Sequence, residues 1–87
     1  MANKLQTYLG FAIKSGKIVY GVDNILKTSK IAVVLTCGLS EKSLKALRAH
    51  CTQKNIPLKQ VESGILPEGA KAVGVVDANL AKAIINE

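Results

Sequence analysis

Six consecutive residues, Ile31-Ala32-Val33-Val34-Leu35-Thr36, show no alternation of apolar and polar side chains. A strand with one wet face alternates, so this run predicts a central strand covered on both faces. Cover must come from amphipathic segments, and the chain has them upstream. Leu5, Tyr8, Leu9, Ala12 and Ile13 recur at helical spacing behind an Asn3–Gln6 variant of a capping box. Gly16 is placed to stop that helix in the left-handed conformation. Ile18-Val19-Tyr20 is a short β-type run. Val22, Ile25 and Leu26 then form the inner face of a second helix, opened by Gly21 and carrying Lys27 and Lys30 near its carboxyl end.

The same alternation continues downstream. Ser40 caps a third helix, with Leu39 and Leu44 at the spacing of a hydrophobic staple and Leu44, Leu47 and Cys51 as its inner stripe. Residues 56–61 read as an edge strand, because Pro57 would remove a ladder hydrogen bond in mid-sheet. Residues 63–69 form a loop or a single turn, and residues 72–76 a second buried strand. Asp77 caps the last helix, with Leu80, Ala81, Ile84 and Ile85 facing inward. Helices alternating with strands imply an α/β fold, helices packed on a small, largely parallel sheet. The 87 residues form one domain, 1–87, with no internal repeat or linker. A chain of this size buries roughly 60% of its unfolded surface, enough for one core, and its 48% apolar content argues against disorder.

Charge narrows the partner class. Twelve Lys and Arg stand against six Asp and Glu, a net charge of +6. The excess is concentrated early: residues 1–30 hold Lys4, Lys14, Lys17, Lys27 and Lys30 against Asp23 alone. A small basic domain favours nucleic acid or another acidic partner. No apolar run approaches the ~18 residues of a membrane span, so no membrane partner is expected. The first residues lack the unbroken apolar stretch of a signal peptide, and a cytoplasmic location is expected.

Catalytic signals are poor. The six acids are scattered, and the single histidine, His50, has ordinary neighbours. His50 and Cys51 are adjacent, so on a helix they point about 100° apart and do not face one site. Cys37 and Cys51 have no C-x-x-C partner and read as free thiols. Gly10 to Lys17 superficially evokes a phosphate-binding loop. It has one residue too many between its glycines, Ile18 in place of Ser or Thr, and a helix where a strand must precede. No enzyme activity, metal, cofactor or small-molecule substrate is expected.

The clearest functional outline is Lys14-Ser15-Gly16-Lys17, a short extended link, then Gly21-Val22-Asp23-Asn24-Ile25-Leu26-Lys27. Lysines flank the link, and a helix opening beside them offers backbone N–H groups to a polyanion.

These blocks, in this order, resemble the kink-turn-binding ribosomal protein family, the large-subunit "seven-Ae" proteins and their short bacterial relatives. Ala12-Ile13-Lys14-Ser15-Gly16-Lys17 is similar to the family's A-x-x-A-G-K. Gly21-Val22-Asp23-Asn24-Ile25-Leu26-Lys27 is similar to G-x-N-E-x-x-K and closer to the bacterial G-x-D-x-x-x-K. The apolar strand followed by Ser40 and a basic helix, then Ile56-Pro57 and Asp77-x-x-Leu80-Ala81, extend the resemblance through most of the chain.

The resemblance implies a three-layer α/β/α sandwich with a small, mixed, largely parallel four-stranded sheet. It also implies non-catalytic recognition of a sharply bent RNA helix–bulge–helix, in association with ribosomal RNA or a structured leader. Asp23, Asn24 and Lys27 would read bases beside tandem sheared G·A pairs, with Gly21 and Val22 allowing close backbone approach. Lys14, Lys17 and Lys30 would contact phosphates. Lysine can donate to guanine O6 and N7, and asparagine can both donate and accept. The scarcity of aromatics, only Tyr8, Phe11 and Tyr20, argues against a base-stacking platform.

Two features depart from the family. Asp23 and Asn24 stand where many members have Asn and Glu, and Asp23 suits a helix start but opposes phosphate. Residues 61–69 run almost directly into the last strand, so the family's short helix there is shortened or missing, and Glu62 and Glu68 add acid. Ile65 and Leu66 either touch a splayed base or form a lid over the core. The alternative function is a degenerate member that keeps the fold and serves as a protein-interaction or scaffold module.

Overall fold

The computed structural model describes residues 4–62, 65–66 and 69–86. Eight elements follow one another: α1 (Lys4–Lys14), β1 (Ile18–Tyr20), α2 (Val22–Lys27), β2 (Val33–Thr36), α3 (Glu41–Lys54), β3 (Leu58–Gln60), β4 (Ala72–Val75) and α4 (Ala78–Ile85). Their order is the one expected from the apolar patterning. The Asn3 cap and the loop residues Ser63, Gly64, Pro67 and Glu68 lie outside the described residues.

The sheet has the order β1-β4-β2-β3. β2 pairs with β3 in parallel, and β4 is antiparallel to both β1 and β2. Three strands therefore point one way and β4 alone runs against them. The expected mixed, four-stranded sheet forms, and only its largely parallel pairing is corrected: two of its three ladders are antiparallel. The cause lies in the link from β3 to β4, which holds no helix among its described residues. A parallel return needs a crossover of about a dozen residues or more, generally helical. The chain instead doubles back, and β4 fills the slot between β1 and β2.

Two crossovers that advance the same way across a sheet, both right-handed, place their helices on one face. The links β1–α2–β2 and β2–α3–β3 advance that way. Ile25 of α2 and Leu47 and Cys51 of α3 accordingly share a buried cluster with Val34, Ala72 and Ile31. Leu5, Leu9 and Ala12 of α1 and Ala81 and Ile84 of α4 share the other cluster with Val33, Leu35, Val73 and Val75. The strand period of two sorts these residues, since Val33 and Leu35 face one way and Val34 the other. β2 is buried at all four positions, as its sequence requires.

Gly74 of β4 is needed for space. A Cβ there would lie 2.7 Å from Ile31 Cδ1, 3.2 Å from Ile31 Cγ2 and 3.4 Å from Ile25 Cγ1. Its bare backbone lets α2 and the turn after it sit down on the sheet. The caps read from sequence also form. Ser40 Oγ accepts from the Ser43 N–H at 3.3 Å. One carboxylate oxygen of Asp77 accepts from the N–H groups of Asn79 and Leu80 at 2.8 and 3.2 Å.

The expected inner stripes are too wide at three places. In each of the adjacent pairs Ala12-Ile13, Ile25-Leu26 and Ile84-Ile85 the first residue is fully buried and the second is 41%, 37% and 43% exposed. Neighbours on a helix point about 100° apart, so a narrow contact stripe holds only one of each pair.

Candidate functional site

The α1–β1 turn is set by backbone hydrogen bonding around Gly16. The Gly16 N–H donates to the Ile13 carbonyl at 3.2 Å, and the Lys17 N–H to the Ala12 carbonyl at 2.8 Å. This nested pair closes the helix with Gly16 at φ 69°, the left-handed stop expected. Ser15 Oγ donates to the Phe11 carbonyl at 2.8 Å, covering another helix-end acceptor. Lys14 and Lys17 emerge from this closed end into solvent.

At the far end of β1 the chain turns again. Gly21 sits at φ 87°, ψ 147°, a region that is essentially glycine-only. Its N–H donates to the Ala72 carbonyl and its carbonyl accepts from Ile25, each at 3.0 Å, so the turn is clamped to β4 and to α2 together. Asn24 Nδ2 donates to the Tyr20 carbonyl at 2.8 Å, and Thr28 Oγ1 donates to the Asn24 carbonyl at 2.8 Å. Asn24 thus keeps its Oδ1 and one N–H for other partners. Ile25 is fully buried, while Asp23, Asn24 and Lys27 are exposed and Val22 is half-buried.

α2 is six residues long, under two turns. Few peptide dipoles align over that length, so attraction for an anion here rests on lysine side chains more than on the helix end. That lessens the part expected of the backbone N–H groups.

The register places the remaining lysines. The Ala32 N–H donates to the Val75 carbonyl, Val75 pairs with Ile18, and the Val76 N–H donates to the Lys17 carbonyl. The segments carrying Lys17 and Lys30 therefore share one end of the sheet, and Gly21 with Val22 and Asp23 stands at the other. Lys27 lies one turn along α2, between them. Lys14, Lys17, Lys27 and Lys30 are all exposed.

Two expected contacts are not part of this surface. Leu66 is 8% exposed inside the α1–α4 cluster, and Ile65 is half-buried against the same cluster. Of the two readings left open for them, their burial fits the lid over the core. Cys37 is half-buried and Cys51 buried, and both are free. Burial pushes the Cys51 thiol above its ordinary range, which keeps it protonated and unreactive.

Three neighbours of the site were not singled out from the sequence. Tyr20, Leu39 and Lys71 join Gly21 and Val22 around an apolar depression of about 340 Å³ at the Gly21 end of the sheet. Tyr20, 42% exposed, directly precedes Gly21 and is the one legible signal. Lys71 comes close only because β4 inserts beside β1.

No protein-family model matches the chain, and no curated protein matches it. Its structure is similar to that of a protein of unknown function from Bacillus halodurans, with a TM-score of 0.87 and 23% identity. The match covers 99% of this chain and 100% of the other. That likeness shows the fold, a mixed four-stranded sheet with four helices. Among the described residues no helix is long and apolar enough to cross a membrane.

Proposed function

We propose that this chain is a non-catalytic RNA-binding domain of the kink-turn-binding ribosomal type. It is built as a three-layer α/β/α sandwich and works in the cytoplasm on structured RNA, ribosomal RNA first, without cofactor or small-molecule substrate. The observation that carries the reading is the Gly21 turn. Its glycine-only backbone opens α2 so that Asp23, Asn24 and Lys27 stand in solvent while Ile25 anchors the helix.

In this reading Lys27 donates to a guanine edge and Asn24 uses its remaining N–H and Oδ1. Asp23 accepts from a base amino group. Lys14, Lys17 and Lys30 neutralise phosphates on either side and set the register. Buried clusters on both faces of the sheet support the layered architecture.

Backbone amide NMR with a kink-turn hairpin tests the reading. Residues 14–17 and 21–30 should shift together while α4 stays unchanged. Weak shifts, the same with a plain duplex of equal length, would favour the protein-interaction reading, for which the exposed Phe11, Ile13 and Ile85 are the specific observation.

A further inference from the structure

α3 packs beside α2 on one face of the sheet and turns a basic stripe to solvent. Leu47 and Cys51 are buried, while Lys42, Lys45 and Arg48 stand exposed at successive steps of three residues. Side chains three apart on a helix are neighbours, with Cβ atoms about 5–6 Å apart, so the three cations share one strip of surface. A solvated helix face ordinarily mixes both signs, with acids four residues ahead of bases. Glu41 is the one acid of α3 and stands four residues before Lys45, yet no ion pair joins the stripe to a carboxylate among the described residues. Lys45 and Arg48 also edge a depression of about 410 Å³, with Glu41 and Leu44 as its other walls. Arg48 is the chain's one arginine, and a guanidinium presents a planar fork of donors that matches phosphate.

The uncharged residues of this face decide between an acidic protein and a nucleic acid. Those exposed on α3 are Ala46, Ala49, Thr52 and Gln53, all small or polar, and none of the exposed large apolar side chains lies on this helix. Protein interfaces centre on well-packed anchors such as Trp, Tyr and Arg set in apolar surroundings. Nucleic-acid interfaces are polar and strongly positive. α1 and α4, with Phe11, Ile13 and Ile85, have the apolar character, and α3 has the basic one. We propose that the outer face of α3 is a second RNA contact, on which Lys42, Lys45 and Arg48 hold backbone phosphates of an RNA stem. The occupant rests on the RNA-binding reading above, but the contact does not need the Gly21 turn. It reads no bases, so it adds affinity for any RNA helix and no preference among them.

A single arginine gives a single side-chain Nε–H signal, so Arg48 is its own NMR reporter. The intact protein is titrated with a plain RNA duplex and with a kink-turn hairpin of equal length. The Arg48 Nε–H signal should shift saturably with both. Arg48→Gln should bind each RNA about fivefold more weakly at physiological salt and lower the salt slope by about 0.9, the loss of one phosphate contact. Arg48→Lys should restore that slope, and Lys82→Gln should bind as the parent does. Arg48 is exposed, so these changes leave the fold intact. An Arg48 signal unmoved at RNA saturation, or an Arg48→Gln protein that binds as the parent does, overturns the proposal. If the Arg48 signal responds in a protein with no preference for the kink-turn, the kink-turn reading fails and the α3 contact stands. A clear preference with an unmoved Arg48 signal removes the α3 contact and keeps that reading.

Discussion

Lys27 follows Asp23 by one helical turn, so the two side chains share a face of α2 while Ile25 points to the core. Replacing an exposed lysine leaves stability within about 0.5 kcal/mol. Lys27→Ala should nonetheless cost roughly 1–3 kcal/mol of affinity for kink-turn RNA, and much less for plain duplex, where only a phosphate contact is open. Lys82→Ala on α4 is the matched control, and equal losses for the two variants would mean that general charge holds the RNA. The thiols offer a second check at this scale. A thiol reagent should modify Cys37 first, and Cys51, 2% exposed with its thiol held protonated, only as the protein opens. Labelling in the reverse order would contradict the burial described. At this scale the Gly16 and Gly21 turns and the Ser40 and Asp77 caps were legible because each depends on local backbone chemistry. Leu66 was not: a short apolar pair in a loop reads the same whether it touches a ligand or the core.

Packing between elements separates two glycines that look alike in sequence. A Cβ at Gly10, within α1, would meet nothing within 4 Å, whereas one at Gly74 would press on Ile31. Gly10→Ala should stabilise by roughly 0.5–1 kcal/mol, because alanine loses less entropy in a helix. Gly74→Ala should destabilise by about 1–3 kcal/mol through overpacking against Ile31 and Ile25. Urea unfolding midpoints read both, and a shift of the same sign would contradict the packing described. The elements themselves were legible from period and capping. The pairing of β4 was not, since alternation of helices and strands says nothing of which slot a strand takes. That one insertion makes two of the three ladders antiparallel, and it also brings Lys71 to the Gly21 end.

Across the whole molecule the basic excess lies along α1's end and α2, which carry Lys14, Lys17, Lys27 and Lys30, and along α3, where Lys42, Lys45, Arg48 and Lys54 stand against Glu41 alone. If these side chains carry the binding, log affinity should fall against log salt with a slope near about −4, at about 0.9 per neutralised phosphate. An affinity unchanged between low and high salt would exclude a lysine-borne interface. Charge alone, however, binds any RNA, and the proposal is that the Gly21 turn presents base-reading groups to a bent one. The most direct measurement is therefore the ratio of affinities for two hairpins of equal length and charge. One is a kink-turn, and in the other its sheared G·A pairs are replaced by Watson–Crick pairs. The account predicts clearly tighter binding to the kink-turn, and equal, weak binding to both would contradict it.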